Sequence, residues 1–128
     1  MIAPIDNDTA IQFLKKNKAS KELVFYRPQH SWYGMYINGE LIAVGGYSIK
    51  NKVAHLGGFC VKEKIRGKGI GQNFVIWVIA ILFTEDINKI VSYSRPTMAH
   101  ILEKHNKFKT VQVLKNGTKK QILEVEDE

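Results

Sequence analysis

The chain has 128 residues, a length that fits one domain over positions 1–128 with a single hydrophobic core. With 45% hydrophobic and 24% charged residues it has the composition of a soluble globular protein, which excludes general disorder. The longest apolar run, Phe74 to Phe83, is about half of what spans a bilayer, and no charged-then-apolar leader opens the chain, so a cytoplasmic protein without membrane contact is expected.

In chain order, Met1 to Ile5 reads as a short strand, and Asp6 to Asp8 can cap a helix from Thr9 to about Lys18 with Ala10, Ile11 and Leu14 on its apolar face. Glu22 to Tyr26 is too short to separate a buried strand from a helical turn, and Pro28 ends it either way. Trp32 to Ile37 and Glu40 to Ile49 are strand-like runs joined at Asn38-Gly39, a hairpin signal. A third run, Val53 to Lys62, follows, and Gly57-Gly58 inside it suggests a bulge or a close approach by a ligand. Arg66 to Gly71 is a glycine-rich turn, and Gln72 to Phe83 forms a helix that is apolar on every side. Phe74, Trp77, Val78 and Ile81 lie on one face of it, and Val75, Ile79 and Leu82 on another. One face must cover the sheet; the other calls for a cover from elsewhere in the chain or from a second subunit in a homodimer. Ile87 to Ser94 reads as a strand, Pro96 opens a helix from Thr97 to about His105, and Phe108 to Leu114 with Lys119 to Val125 form a hairpin around Asn116-Gly117. Residues 124–128 form an acidic tail expected to fray. The sum is an α+β chain with a mixed, mostly antiparallel sheet.

Strand, glycine loop and helix in that order suit an anion, because the first amides of a helix lack partners within it and sit at the positive end of its dipole. Gly67, Gly69 and Gly71 leave those amides approachable, and Arg66 can add a bidentate charged contact. Net charge is +7, with Lys50, Lys52, Lys62, Lys64, Arg66 and Lys68 around this stretch. Such a patch could attract nucleic acid, an acidic protein or a multiply phosphorylated cofactor. The spacing is not that of a P-loop, and a dinucleotide fingerprint would need glycine where Gln72 stands.

Arg66-Gly67-Lys68-Gly69-Ile70-Gly71, with Val61 five residues ahead and an apolar helix behind, resembles the acyl-CoA loop of the GNAT N-acetyltransferase superfamily. The order of elements agrees along nearly the whole chain. The resemblance implies a GNAT fold of six to seven strands flanked by about three to four helices. It implies acetyl-CoA as cosubstrate, held by Cys60, Val61, Arg66, Gly67, Lys68, Gly69, Ile70, Gly71 and Gln72. It also implies that the strand before the loop splays from its neighbour, freeing backbone groups to pair with the pantetheine arm, and that a strand N–H near Cys60 or Val61 serves the developing oxyanion. Family members often carry Asn-x-x-Ala-x-x-x-Tyr before Gly-Phe, with the tyrosine as general acid to the leaving thiolate. Aligning Ala99 and Phe108 puts Pro96, Glu103 and Lys107 at the asparagine, tyrosine and glycine.

An amine attacking a thioester must be neutral, yet a lysine-like amine with pKa near 10.4 is less than roughly 0.1% neutral at pH 7, so a base or ordered water must take its proton. His55, Tyr33, Tyr93 and Glu103 are the candidates. His55 lies on the strand beside the expected thioester, Tyr93 could replace the missing acid, and Glu103 sits on a helix. Cys60 reads as a small strand residue. With one cysteine, and with His30, His100 and His105 out of ligand spacing, no metal is expected. The reading is an N-acetyltransferase for an amine of a small molecule or protein. The alternatives are a GNAT-like binding protein without catalysis and an acyltransferase acting on nucleic acid bases.

Overall fold

The structure, a computed structural model, describes residues 1–17 and 29–125. Glu22 to Tyr26, Pro28 and the last residues of the acidic tail lie outside the described residues. The first strand, β1 (Ile2–Ile5), forms a sheet edge, where Pro4 costs no ladder donor. Helix α1 (Asn7–Lys16) follows, and the Asp6 carboxylate accepts the Thr9 N–H at 2.7 Å as its N-cap. Ala10, Phe13 and Leu14 form its buried face, packed with Trp32 and Val44.

Strands β2 (Ser31–Ile37) and β3 (Glu40–Lys50) make the expected hairpin, with Asn38 and Gly39 both at positive φ in its turn. Strand β4 (Val53–Val61) pairs antiparallel with β3, and a short 3-10 turn at Glu63–Ile65 leads into the glycine loop. Helix α2 (Ile70–Leu82) then crosses to β5 (Lys89–Ser94), which lies parallel to β4. Helix α3 (Pro96–Asn106), with proline in its first turn, precedes β6 (Lys109–Val113) and β7 (Lys119–Glu124). Among the described residues the sheet runs β1-β2-β3-β4-β5-β7-β6, seven strands with one parallel pair. This is the α+β architecture anticipated, with three α-helices among the described residues.

Three sequence expectations need correction, two of them on α2. Helix α2 begins at Ile70, before Gln72, because Gly69 adopts the left-handed conformation and acts as its N-cap. Its faces also divide otherwise: Phe74 and Val78 are buried together with Val75, Ile79 and Leu82, while Trp77 points outward at 58% exposure. Helical geometry explains this, since the buried positions follow an i, i+1, i+4, i+5, i+8 stripe that leaves Trp77 to one side.

The basic residues do not form one patch. Nine residues of β4 at roughly 3.3 Å each separate Lys50 and Lys52 from the loop by about 25–30 Å. Lys52 pairs with Asp86 at 3.5 Å, and Lys62 pairs with Glu40.

Candidate active site

Beyond the register pairs Val53↔Lys89, Ala54↔Ile90 and His55↔Val91, β4 and β5 no longer pair, although β4 runs on to Val61 and β5 to Ser94. A bulge in β4 lies in this separated half. Val44↔Cys60 and Gly46↔Gly57 leave one residue of β3 facing two of β4, Gly58 and Phe59. Gly58 takes φ +78°, a conformation that disfavours other residues, so the glycine pair marks a bulge. Phe59 turns its ring onto Phe74 of α2, with centroids 5.8 Å apart, and over Gly45, where a Cβ would meet the ring at 2.3 Å.

The opening joins the glycine loop in one cleft of about 1290 Å³, bounded by β4, β5 and the N-terminal ends of α2 and α3. Gly67 and Gly69 sit at φ +83° and +80°, and a Cβ at either would meet nothing within 4 Å. Backbone conformation demands glycine there, and the loop faces open space. Gly69, as the N-cap, makes no side-chain hydrogen bond to the first amides of α2.

Arg66 does something the sequence did not indicate. Its Nε donates to the Val61 carbonyl at 2.9 Å, and one terminal nitrogen donates to the Asn17 carbonyl at 2.7 Å and approaches Cys60 Sγ at 3.4 Å. Buried Asn17, at the end of α1, accepts the Glu63 N–H at 3.1 Å and donates from its side chain to the Phe13 carbonyl. The guanidinium and Asn17 therefore tie the loop to β4 and α1. Burial pushes the Cys60 thiol up from its ordinary value against the pull of Arg66, which keeps it protonated and unsuited to nucleophilic work.

Of the residues named from sequence for the cosubstrate, Cys60, Val61, Arg66, Gly67, Gly69, Ile70, Gly71 and Gln72 line the cleft, whereas Lys68 does not. His55 and Tyr93 line it too, both exposed. They share a sheet face, because Val91, paired with His55, is two residues from Tyr93. Tyr33 and Glu103 are not brought there. The Tyr33 hydroxyl lies 3.3 Å from that of Tyr47, whose phenol is raised well above its ordinary value by burial first and then by Tyr33. Glu103 accepts from Thr110, Lys119 and Gln121, ties that hold its carboxyl below the usual range and staple α3 to the last hairpin. Sequence reading weighed His30 only as a metal ligand and passed over Ser48, yet both also line the cleft. Neither sits in a motif, and only their tertiary contact marks them.

The model of the acetyltransferase (GNAT) family matches residues 4–106. The chain belongs to that family. Solved structures agree in fold. The ribosomal-protein-S18-alanine N-acetyltransferase from Escherichia coli superposes with a TM-score of 0.76 at 13% identity, over 100% of this chain and 95% of that one. A GNAT family acetyltransferase from Elizabethkingia anophelis with acetyl-CoA bound gives 0.74 at 19% identity, over 98% and 97%. The PaiA N-acetyltransferase from Thermoplasma acidophilum in complex with coenzyme A gives 0.72 at 13% identity, over 98% of both chains. No curated protein matches the sequence.

Proposed function

We propose that the protein is an N-acetyltransferase that moves an acetyl group from acetyl-CoA to an amine of a small molecule or protein, by direct attack with both substrates bound. The observation that carries this reading is the meeting of two features in one cleft: strands that separate after His55↔Val91, and an uncapped helix N-terminus behind a glycine loop. The separated edge of β4 offers backbone groups to an extended amide-bearing arm, as an added strand would. In this reading the amides from Gly67 to Gln72 donate to the pyrophosphate, and a β4 N–H near Cys60 or Val61 polarises the acyl carbonyl. Acetyl-CoA supplies the activated acyl group. The residues that hold it also exclude water and bring it beside the acceptor, and proximity alone accounts for much of the rate in such reactions.

Tyr93 stands at the open end of β5 and takes the acid role for the departing thiolate in place of the tyrosine that Glu103 replaces. The separated lysines at the two ends of β4 give no continuous track for a nucleic acid backbone, which favours an amine acceptor over a base. The outward face of α2, with Trp77 and Phe83 more than half exposed, is proposed to meet a second copy in a homodimer. Sedimentation of wild type beside Trp77→Glu checks this, with loss of a dimer expected in the variant.

Thermal unfolding with and without acetyl-CoA tests the central reading. Ligand at 100 times its Kd adds about 2.7 kcal/mol, a shift of several degrees at this size. The shift is expected in wild type and lost in Gly69→Trp and Arg66→Ala. A well-folded wild type with no shift would sink the acetyltransferase reading.

A further inference from the structure

The opening between β4 and β5 has two faces, and the strand register separates them. Ala54, paired with Ile90, belongs to the core beneath α2, and Gln121 donates to the Ala99 carbonyl of α3 at 3.0 Å, so these residues face the two helices. Their strand neighbours face the other way. One row across that opposite face is His55, Val91, Ile122 and Lys109, and the next is Tyr93, Lys120 and Gln112. The glycine loop opens α2, so an acceptor that approaches the acyl group from the side away from the cosubstrate meets this opposite face.

The charge it meets is one-sided. Among the described residues no aspartate or glutamate lines the cleft, whereas Arg66, Arg95, His30, His55 and His100 do. Further along β7 on the same face, Glu124 pairs with Lys89 at 3.8 Å, and on the other face Lys119 pairs with Glu103 at 3.3 Å. Lys120, half-buried between them in sequence, has no carboxylate partner among the described residues. Its ammonium lies over the ring of Tyr93, 5.8 Å from the centroid, a cation–π contact that holds it beside the cleft wall. A polycationic acceptor would give up water here and gain no counter-charge, whereas an acceptor with an anion gains one.

We propose that the acceptor carries a carboxylate as well as its amine, and that Lys120 binds the carboxylate, an inference that rests on the acetyltransferase reading and names its substrate class. Register sets the span. Tyr93, two residues past Val91, is level with Gly57; Gly57 and Cys60 face Gly46 and Val44, two β3 residues apart, so the acyl carbonyl near Cys60 lies roughly 7 Å further along the sheet. Lys120 lies one strand beyond β5, roughly 5 Å across. An amine at the acyl carbon and a carboxylate at the Lys120 ammonium are then about 8–12 Å apart. An ω-amino carboxylate or a peptide of about two or three residues, at roughly 3.5 Å each, covers that distance. An α-amino acid does not, because its two groups share one carbon. Lys120 is a specificity-determining residue and moves no proton; Tyr93 keeps the acid role.

Turnover with acetyl-CoA on ω-amino carboxylates from glycine to aminooctanoate, and on oligoglycines of rising length, each beside its neutral C-terminal amide, tests this. In wild type kcat/KM is expected to be alike for glycine and its amide, and to favour the carboxylate by about 10-fold once the span is reached. The series that shows the rise tells whether the natural acceptor is aliphatic or a peptide. Lys120→Gln abolishes the preference, Lys120→Glu reverses it, and Lys104→Gln, which removes the same charge from α3, keeps it. Thermal stabilisation by acetyl-CoA, retained in all three variants, shows that they fold. No preference at any length, a preference as strong for glycine as for the longer acceptors, its survival in Lys120→Gln, or its equal loss in Lys104→Gln would overturn the proposal. So would a wild type that is stabilised by acetyl-CoA yet acetylates no member of either series, an outcome that leaves the CoA site standing. Absence of any acetyl-CoA stabilisation would instead remove the reading beneath it.

Discussion

Gly46 shows how tightly single positions are specified in this sheet. A Cβ there would lie 1.9 Å from the Ser31 carbonyl oxygen, a backbone atom that cannot move aside as a side chain would. Gly46→Ala is expected to cost about 1–3 kcal/mol through forced backbone shifts, read as a fall of several degrees in Tm. Arg66 carries a different lesson. Charge drew attention to it as an anion ligand, yet its fork is spent on the Val61 and Asn17 carbonyls, 5 and 49 residues away. Lysine keeps the charge but not the two-pronged geometry. Arg66→Lys is therefore expected to speed amide exchange across residues 63–70 almost as much as Arg66→Ala, measured by hydrogen–deuterium exchange. Retention of wild-type protection in Arg66→Lys would show that charge, not the fork, holds the loop.

At the scale of elements, hydrophobic pattern located α2 but could not orient it. A helix apolar all round has no polar face to reveal which side meets the sheet. Packing makes the choice: Phe74, Val78 and Leu82 are at most 1% exposed, and Trp77 is left outside. Leu82→Ala is expected to cost about 2–5 kcal/mol, whereas Trp77→Ala should change the stability of a monomer by no more than about 0.5 kcal/mol. Urea unfolding of the two variants checks the contrast. The last hairpin was legible from Asn116-Gly117 and its alternation, and both strands form. What alternation did not reveal is that β6 is an edge strand exposed at all five positions, since an edge is defined by the strand that is absent beside it.

At the scale of the whole molecule, three exposed carboxyls among the described residues are held below their ordinary values and contribute to the response to acid. Asp6 is held below its ordinary value chiefly by the Thr9 backbone N–H, Glu40 by its hydrogen bond and attraction to Lys62, and Glu103 by Thr110 and then Lys119. Because each folded-state pKa lies below the unfolded one, their stabilisation is fully present above the ordinary carboxylate range near 4 and is lost as pH falls through the depressed values. Urea midpoints are expected to stay level from neutral pH to about that range and then decline. Asp6→Asn should flatten part of the decline. The three pairs join separate parts of the chain, a helix cap, the β3–β4 end and α3 with the last hairpin, so their losses should add.

The sequence by itself left Gly57-Gly58 open between a bulge and a close approach by a ligand, and it determined the order of elements, both Asn-Gly hairpins and the strand–glycine turn–helix succession. Each of these is encoded by residues within a few positions of one another, through φ preference, alternation or capping. Only the tertiary structure decided where β4 and β5 part, how α2 turns, that Arg66 ties the loop to β4 and α1, and that His30 meets Ser48 across 18 residues. Those outcomes depend on side chains from distant segments competing for the same space and the same hydrogen-bond partners, and local pattern carries no record of that competition.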